Sequence, residues 1–406
     1  MTAEITGLVC VKCARSYHAG DHLVCPHCGV EGILDVEYDY DRMKASLRRE
    51  PLGRREDLSI WRYADMLPTG GLGSRMRRVG WTPLYSFSQL GSALGHSALF
   101  LKDDTVNPSA SLKDRASAIA VAMAAEKGAG AIACASTGNA ASSLAVLSAS
   151  VELRSYIFVP QTIPRPKLFQ LAACAERVFR VQGTYEDAFD LATKAIAAWG
   201  WENRNCAINP YLVEGKKTCS LEVYEQMGYR VPDWVVVPVG DGCIISGQWK
   251  AFKELKIVGE TTALPRLLAV QADGCRPIVD AFANDADLVP VEGNTFADSI
   301  RVGKPRNWRK ALKALRESGG SAVGVSDGEI AEAAVLLGRK TGLFAEPAAA
   351  AGLAGCRKAV ELGLIKSDEV AVVLVTGSGL KDPEAIANSV RVCDTGRDLE
   401  SVAKWL

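Results

Sequence analysis

From residue 99 onward the chain alternates short apolar runs, rich in branched residues, with stretches of helical periodicity. No other feature constrains the fold as tightly. The runs span residues 99–102, 131–135, 156–159, 178–181, 234–239, 267–271 and 370–375. Each is too short for a buried helix, and the segments between them are long enough to cross over a sheet. Such alternation specifies an α/β fold with largely parallel sheets covered on both faces. With 406 residues, 48% of them hydrophobic, the chain can fill two or more lobes.

Charge and targeting signals narrow the function classes. A formal net charge of +0 provides no global field for nucleic acid or an acidic membrane. Residues 1–9 lack a basic segment followed by an apolar core, and no later run approaches the roughly 20 apolar residues of a membrane span. A cytoplasmic protein is expected, without nucleic-acid or membrane partners. Residues 40 to 80 are rich in arginine and read as a helical arm wrapping the body. There Arg54, Arg55, Arg75, Arg77 and Arg78 have acidic neighbours or polar surroundings and are expected on the solvated surface.

Of the 12 cysteines, Cys10, Cys13, Cys25 and Cys28 form two CxxC pairs. Two such knuckles can complete a tetrahedral zinc shell. Filled by four thiolates, that shell leaves no open position, so the metal would be structural. His18, His22 and His27 lie nearby as weaker candidate ligands, and two disulfides or unused thiols are the alternative. Scattered cysteines such as Cys134 and Cys356 sit in apolar runs and read as small buried residues.

The chemistry concentrates in four turns. Asn107-Pro108-Ser109-Ala110-Ser111-Leu112-Lys113-Asp114-Arg115 leads into an Ala-rich helical run, placing the Lys113 amine beside the open N–H groups of a helix start. Alone, that triplet is also what a solvated charged face looks like. Three glycine-rich turns follow short apolar strands: Ser136-Thr137-Gly138-Asn139, Gly240-Asp241-Gly242-Cys243-Ile244 and Thr376-Gly377-Ser378-Gly379. Trp81-Thr82-Pro83-Leu84 precedes them, and Glu346-Pro347-Ala348 reads either as a cleft-facing turn or simply as a helix start with proline near the first position.

Together with the cysteine pairs, these segments resemble the threonine synthase branch of the fold-type-II pyridoxal-phosphate (PLP) enzymes, whose fold is that of the tryptophan synthase β subunit. The resemblance implies two parallel-sheet domains and a small N-terminal zinc ribbon. Residues 1–40 would form the ribbon, 41–128 with 210–395 the large PLP-binding domain, 129–209 the small α/β domain and 396–406 a C-terminal tail. It further implies that Lys113 forms an imine with PLP and afterwards moves protons. Asn139 would donate to the cofactor's 3′-oxygen. Gly240, Asp241, Gly242, Cys243 and Ile244 would surround its phosphate, with the Asp241 carboxylate turned away or capping a helix N–H. Thr376 would meet the pyridine nitrogen, and Ser136, Thr137 and Asn139 the substrate's α-carboxylate.

The implied reaction is O-phosphohomoserine plus water to threonine plus phosphate, in a homodimer by analogy. The family's Asn-Pro-x-Arg-x-Glu-Gly segment stands here as Asn209-Pro210-Tyr211-Leu212-Val213-Glu214-Gly215, without its arginine, and its Gly-Asn-Ala-Gly-Asn cup is replaced. Lys216, Lys217, Arg115 or Arg301 would have to supply the charge for a leaving phosphate. Two other readings stay open. One is PLP-dependent elimination or β-replacement on another hydroxy- or phospho-amino acid, as in serine/threonine dehydratases or cysteate synthase. The other is a non-catalytic zinc-ribbon binding protein.

Overall fold

The computed structural model describes every residue except Met1, Pro164, Ala207, Arg391 and Leu406, together with the side chains of Pro166 and Asn388. Its strands form three sheets. At the N-terminus, β1 (Ile5–Cys10), β2 (Ser16–Tyr17) and β3 (Leu34–Tyr38) make an antiparallel ribbon in the order β2-β1-β3. Next come β4 (Leu84–Tyr85) and β5 (Leu99–Asp103). Then β6 (Ala131–Ala135), β7 (Arg154–Pro160), β8 (Arg177–Val181) and β9 (Glu202–Asn203) form a four-stranded parallel sheet, ordered β8-β7-β6-β9. Finally β10 (Trp234–Pro238), β11 (Arg266–Ala272), β12 (Ser321–Val325) and β13 (Ala371–Val375) join the earlier pair in a six-stranded sheet, β12-β11-β10-β13-β5-β4. Only the β4–β5 pairing in that sheet is antiparallel.

Every residue of β6, β10 and β13 is buried, as strands covered by helices on both faces must be. The expected runs all appear as strands. Outside the ribbon, three strands were not foreseen. Two of them, β4 and β9, have only two residues each, and β12 lies at the sheet edge with Ala322 and Gly324 in its run.

The expected helical arm is corrected. Only Tyr40–Arg49 is an α-helix, capped by the Asp39 side chain accepting from the Arg42 N–H. Beyond it Pro51, Pro68 and the Gly70-Gly71 pair break the pattern, and the described backbone makes short 3-10 turns at Leu52–Arg54, Ile60–Met66 and Gly73–Arg75. Arg54, Arg75, Arg77 and Arg78 are exposed. Arg55 is not on the solvated surface: it pairs at 2.7 Å with Asp65, both side chains more than nine-tenths buried.

The ribbon is docked, not dangling. Lys310 reaches from the Trp308–Glu317 helix to Asp35 at 2.9 Å and to the Leu34 carbonyl at 2.8 Å. Ile33 packs with Val11 against Cys243, the first residue of the Cys243–Val258 helix. No helix among the described residues is long and apolar enough to cross a membrane.

Candidate active site

Each of the four chemistry-bearing turns leaves the C-terminal end of a parallel strand: β5 toward Lys113, β6 into Ser136–Asn139, β10 into Gly240–Ile244 and β13 into Thr376–Gly379. In open α/β sheets this is the end where crevices form.

Lys113 opens the Lys113–Glu126 helix. The Leu112 N–H donates to the Thr376 carbonyl at 2.9 Å, and the Ser378 N–H to the Ala110 carbonyl at 3.0 Å, which stitches the lysine's helix start to the 376–379 turn. Asp114, the next residue, accepts from the Ser109 N–H at 2.6 Å and from its hydroxyl at 2.5 Å, closing the loop before the helix. The Lys113 side chain is half-buried. Burial pushes its amine below the ordinary lysine range; Lys216 and Arg204 push the same way, while Cys206 and Glu346 oppose.

Asn139, at the start of the Asn139–Ala149 helix, donates its Nδ2 to both Glu346 oxygens, at 2.9 and 3.0 Å. Glu346 is at once the residue before the Pro347–Glu361 helix and part of the cleft wall, so both sequence readings of that turn hold. Burial raises its carboxyl, with Asn139, Lys381, Lys113 and Lys167 opposing. Thr137, Asn139, Lys167, Ser299, Glu346 and Lys381 face one another across the cleft. Ser136 holds the turn's shape by accepting the Gly138 N–H at 3.2 Å.

In the third turn, Gly242 has φ +89°, a left-handed conformation that a side chain would strain. The Asp241 carboxylate is aimed at the Arg306 N–H at 2.7 Å, and its carbonyl accepts from Asn307 at 3.0 Å, so its charge is directed away from the helix start. The Cys243–Val258 helix opens here, and the N–H groups of its first turn are the open donors of a helix start. Beside it the Lys216 amine lies 3.2 Å from the Cys206 thiol.

One sequence expectation is overturned. Arg115 is 0% exposed and gives its guanidinium to Asp104, Glu222 and Thr218, so it has nothing left for a substrate. Lys217 is likewise engaged, at 2.6 Å from Glu214 and 2.7 Å from Glu254. Arg301 pairs with Asp298 at 2.9 Å. Leu212 is wholly buried. Gly215 allows this helix to approach the lysine's helix, since a Cβ there would run into the Arg115 carbonyl. Sequence reasoning missed Arg204 and Cys206, which follow a two-residue strand with no recognisable pattern.

Cys10, Cys13, Cys25 and Cys28 bring four sulfurs within 4.8 Å of one another, and those of Cys13 and Cys25 are 3.8 Å apart. A tetrahedral zinc with bonds of the usual length needs sulfurs about 3.8 Å apart, so the donor set fits that ion. His18, His22 and His27 are exposed and outside the cluster.

Comparison with known proteins agrees with this geometry. Residues 76–377 match the family described as Pyridoxal-phosphate dependent enzyme. The threonine synthase of Methanocaldococcus jannaschii is 40% identical over 93% of this chain and 93% of its own. That of Methanosarcina acetivorans is 37% identical over 95% and 94%. Among solved structures, the processed form of threonine deaminase isoform 2 from Solanum lycopersicum superposes with a TM-score of 0.65 at 20% identity, covering 76% of this chain and 87% of that one. This chain, matched nearly end to end by threonine synthases, belongs to the pyridoxal-phosphate-dependent enzyme family and, within it, to the threonine synthase family.

Proposed function

We propose that this protein converts O-phosphohomoserine and water into threonine and phosphate. The observation that carries the reading is the extent to which proteins named threonine synthase match this chain, together with the Lys113 helix start bonded to the 376–379 turn and the Lys113 amine under the influence of Glu346, Cys206 and Lys216. Bound PLP would supply an aldehyde for imine formation and a ring that withdraws electrons from the substrate's α-carbon. The Asn139 amide, the Thr376 hydroxyl and the 240–244 backbone would hold the ring oxygen, ring nitrogen and phosphate. A neutral hydroxyl at the nitrogen favours elimination and replacement over transamination.

Ser136 and Thr137 would take the substrate carboxylate, and Lys216 would lend charge to the phosphate. Lys113, its amine pushed below the ordinary lysine range by burial, would lift and return protons along the carbon chain while the γ-carbon–oxygen bond to phosphate breaks and water adds at the β-carbon. The assignment is tested by incubating the holoenzyme with O-phosphohomoserine: equal amounts of threonine and phosphate support it, and no phosphate release removes it. Leu212 favours one second reading, elimination or replacement on another hydroxy- or phospho-amino acid. Keto acid formed from serine or threonine would select it.

The four cysteines are proposed to hold a structural zinc. Chelation should release about one zinc per chain and loosen the ribbon while the cofactor stays bound. Turnover lost in a still-folded, zinc-free enzyme would contradict this. A cytoplasmic homodimer completes the proposal, and sedimentation would test its size.

A further inference from the structure

Arg204 is 0% exposed, yet among the described residues both terminal nitrogens of its guanidinium lack a partner. Its place is fixed at both ends of the residue. The backbone N–H donates to the Ala133 carbonyl at 2.9 Å, and Nε donates to the Ser117 hydroxyl at 2.9 Å, one turn along the helix from Lys113. A buried guanidinium with one of its five N–H groups bonded among the described residues is costly unless a partner completes it.

Neighbouring groups point the same way. Asn205, next in the chain and buried, leaves its Nδ2 without a partner. Lys216 is also 0% exposed, and its amine meets the Cys206 thiol at 3.2 Å. That thiol is drawn far below its ordinary range by a hydrogen bond with Cys243 and then by Lys216, Arg204 and Lys113. Lys216 and Arg204 thus both act on one thiol, and a carboxylate that also acts on it, Asp241, is aimed at the Arg306 N–H.

We infer that Arg204, with Lys216 and the Asn205 amide, forms a buried recess beside Lys113 for a phosphate monoester dianion. The planar fork of a guanidinium matches phosphate oxygens two at a time, and an ammonium adds charge without that geometry. Both the cofactor and an O-phosphorylated amino acid carry this group, so the inference rests on the PLP-enzyme reading for its two sources. Arg204 is a binding residue that the sequence reading did not contain.

The test uses Arg204→Gln, Arg204→Lys and Lys216→Gln. PLP and its dephosphorylated analogue pyridoxal are titrated into apoprotein, and inorganic phosphate is titrated into holoenzyme by calorimetry. Arg204→Gln should weaken PLP or inorganic phosphate by about tenfold or more, and Arg204→Lys by about threefold. Loss of PLP affinity with pyridoxal unchanged assigns the recess to the cofactor. Loss of phosphate affinity in the holoenzyme assigns it to the substrate.

Affinities for both within about twofold of the parent, in Arg204→Gln and Lys216→Gln alike, would show that water alone fills the recess and overturn the inference. Should Arg204→Gln fail to fold, Arg204→Lys and Lys216→Gln decide on the same criteria. Neither titration depends on making threonine. A protein that makes none but loses phosphate affinity would end the substrate reading and leave the recess standing.

Discussion

Arg115 and Arg204 are both arginines with no exposed surface, and they do opposite things. Arg115 donates to Asp104 at 2.7 and 2.8 Å, to Thr218 at 2.9 Å and to Glu222 at 2.8 Å, and Lys102 adds a second cation 2.7 Å from Glu222. Two positive groups meet two negative ones. Among the described residues Arg204 makes one side-chain bond, to Ser117, and both terminal nitrogens of its guanidinium lack a partner. Burial therefore does not separate a charge that holds the fold from one that awaits a ligand. The filling of its donors does. It also explains why Arg115, two residues from the lysine, is a poor candidate for substrate contact.

The largest effect should come from Arg115→Met, which strands Asp104 and Glu222 in the interior. Urea denaturation should show a loss of about 3–5 kcal/mol. Next is acid. Arg115 and Lys102 outweigh burial and hold the Glu222 carboxyl down to about 2, against an ordinary value of 4.5. Because the folded value is the lower one, this contribution is complete above 4.5 and is lost as pH falls towards about 2. It is worth on the order of 2–3 kcal/mol. Glu222→Gln, already weakened at neutral pH, should lose less on acidification than the parent does. The smallest effect belongs to Arg204→Met without ligand, whose stability should stay within about 1 kcal/mol of the parent or rise. Equal losses from Arg115→Met and Arg204→Met would erase the distinction between the two arginines.

The comparison also marks what was legible in the sequence. Periodicity identified the long buried strands because each is apolar on both faces, and the turns after β5, β6, β10 and β13 carried their own glycine and asparagine signals. The ribbon was legible from the spacing of four cysteines. Where a residue's role depends on partners far away in the chain, spacing said nothing. Arg115 reads like a cleft residue until Glu222, from the Tyr211–Gln226 helix, arrives beside it. Arg204 reads like a loop residue until Ser117, from the lysine's helix, arrives at its Nε. The arm was misjudged for a local reason: arginine-rich stretches suit a helix, but prolines and glycines stop this one after ten residues.

The account stands on the Lys113 amine. Lys113→Ala, purified with PLP and scanned in the visible, should lack the absorbance band of a lysine-bound cofactor and form no threonine from O-phosphohomoserine, while its far-UV circular dichroism stays that of the parent. A variant that keeps both the band and the product would contradict it.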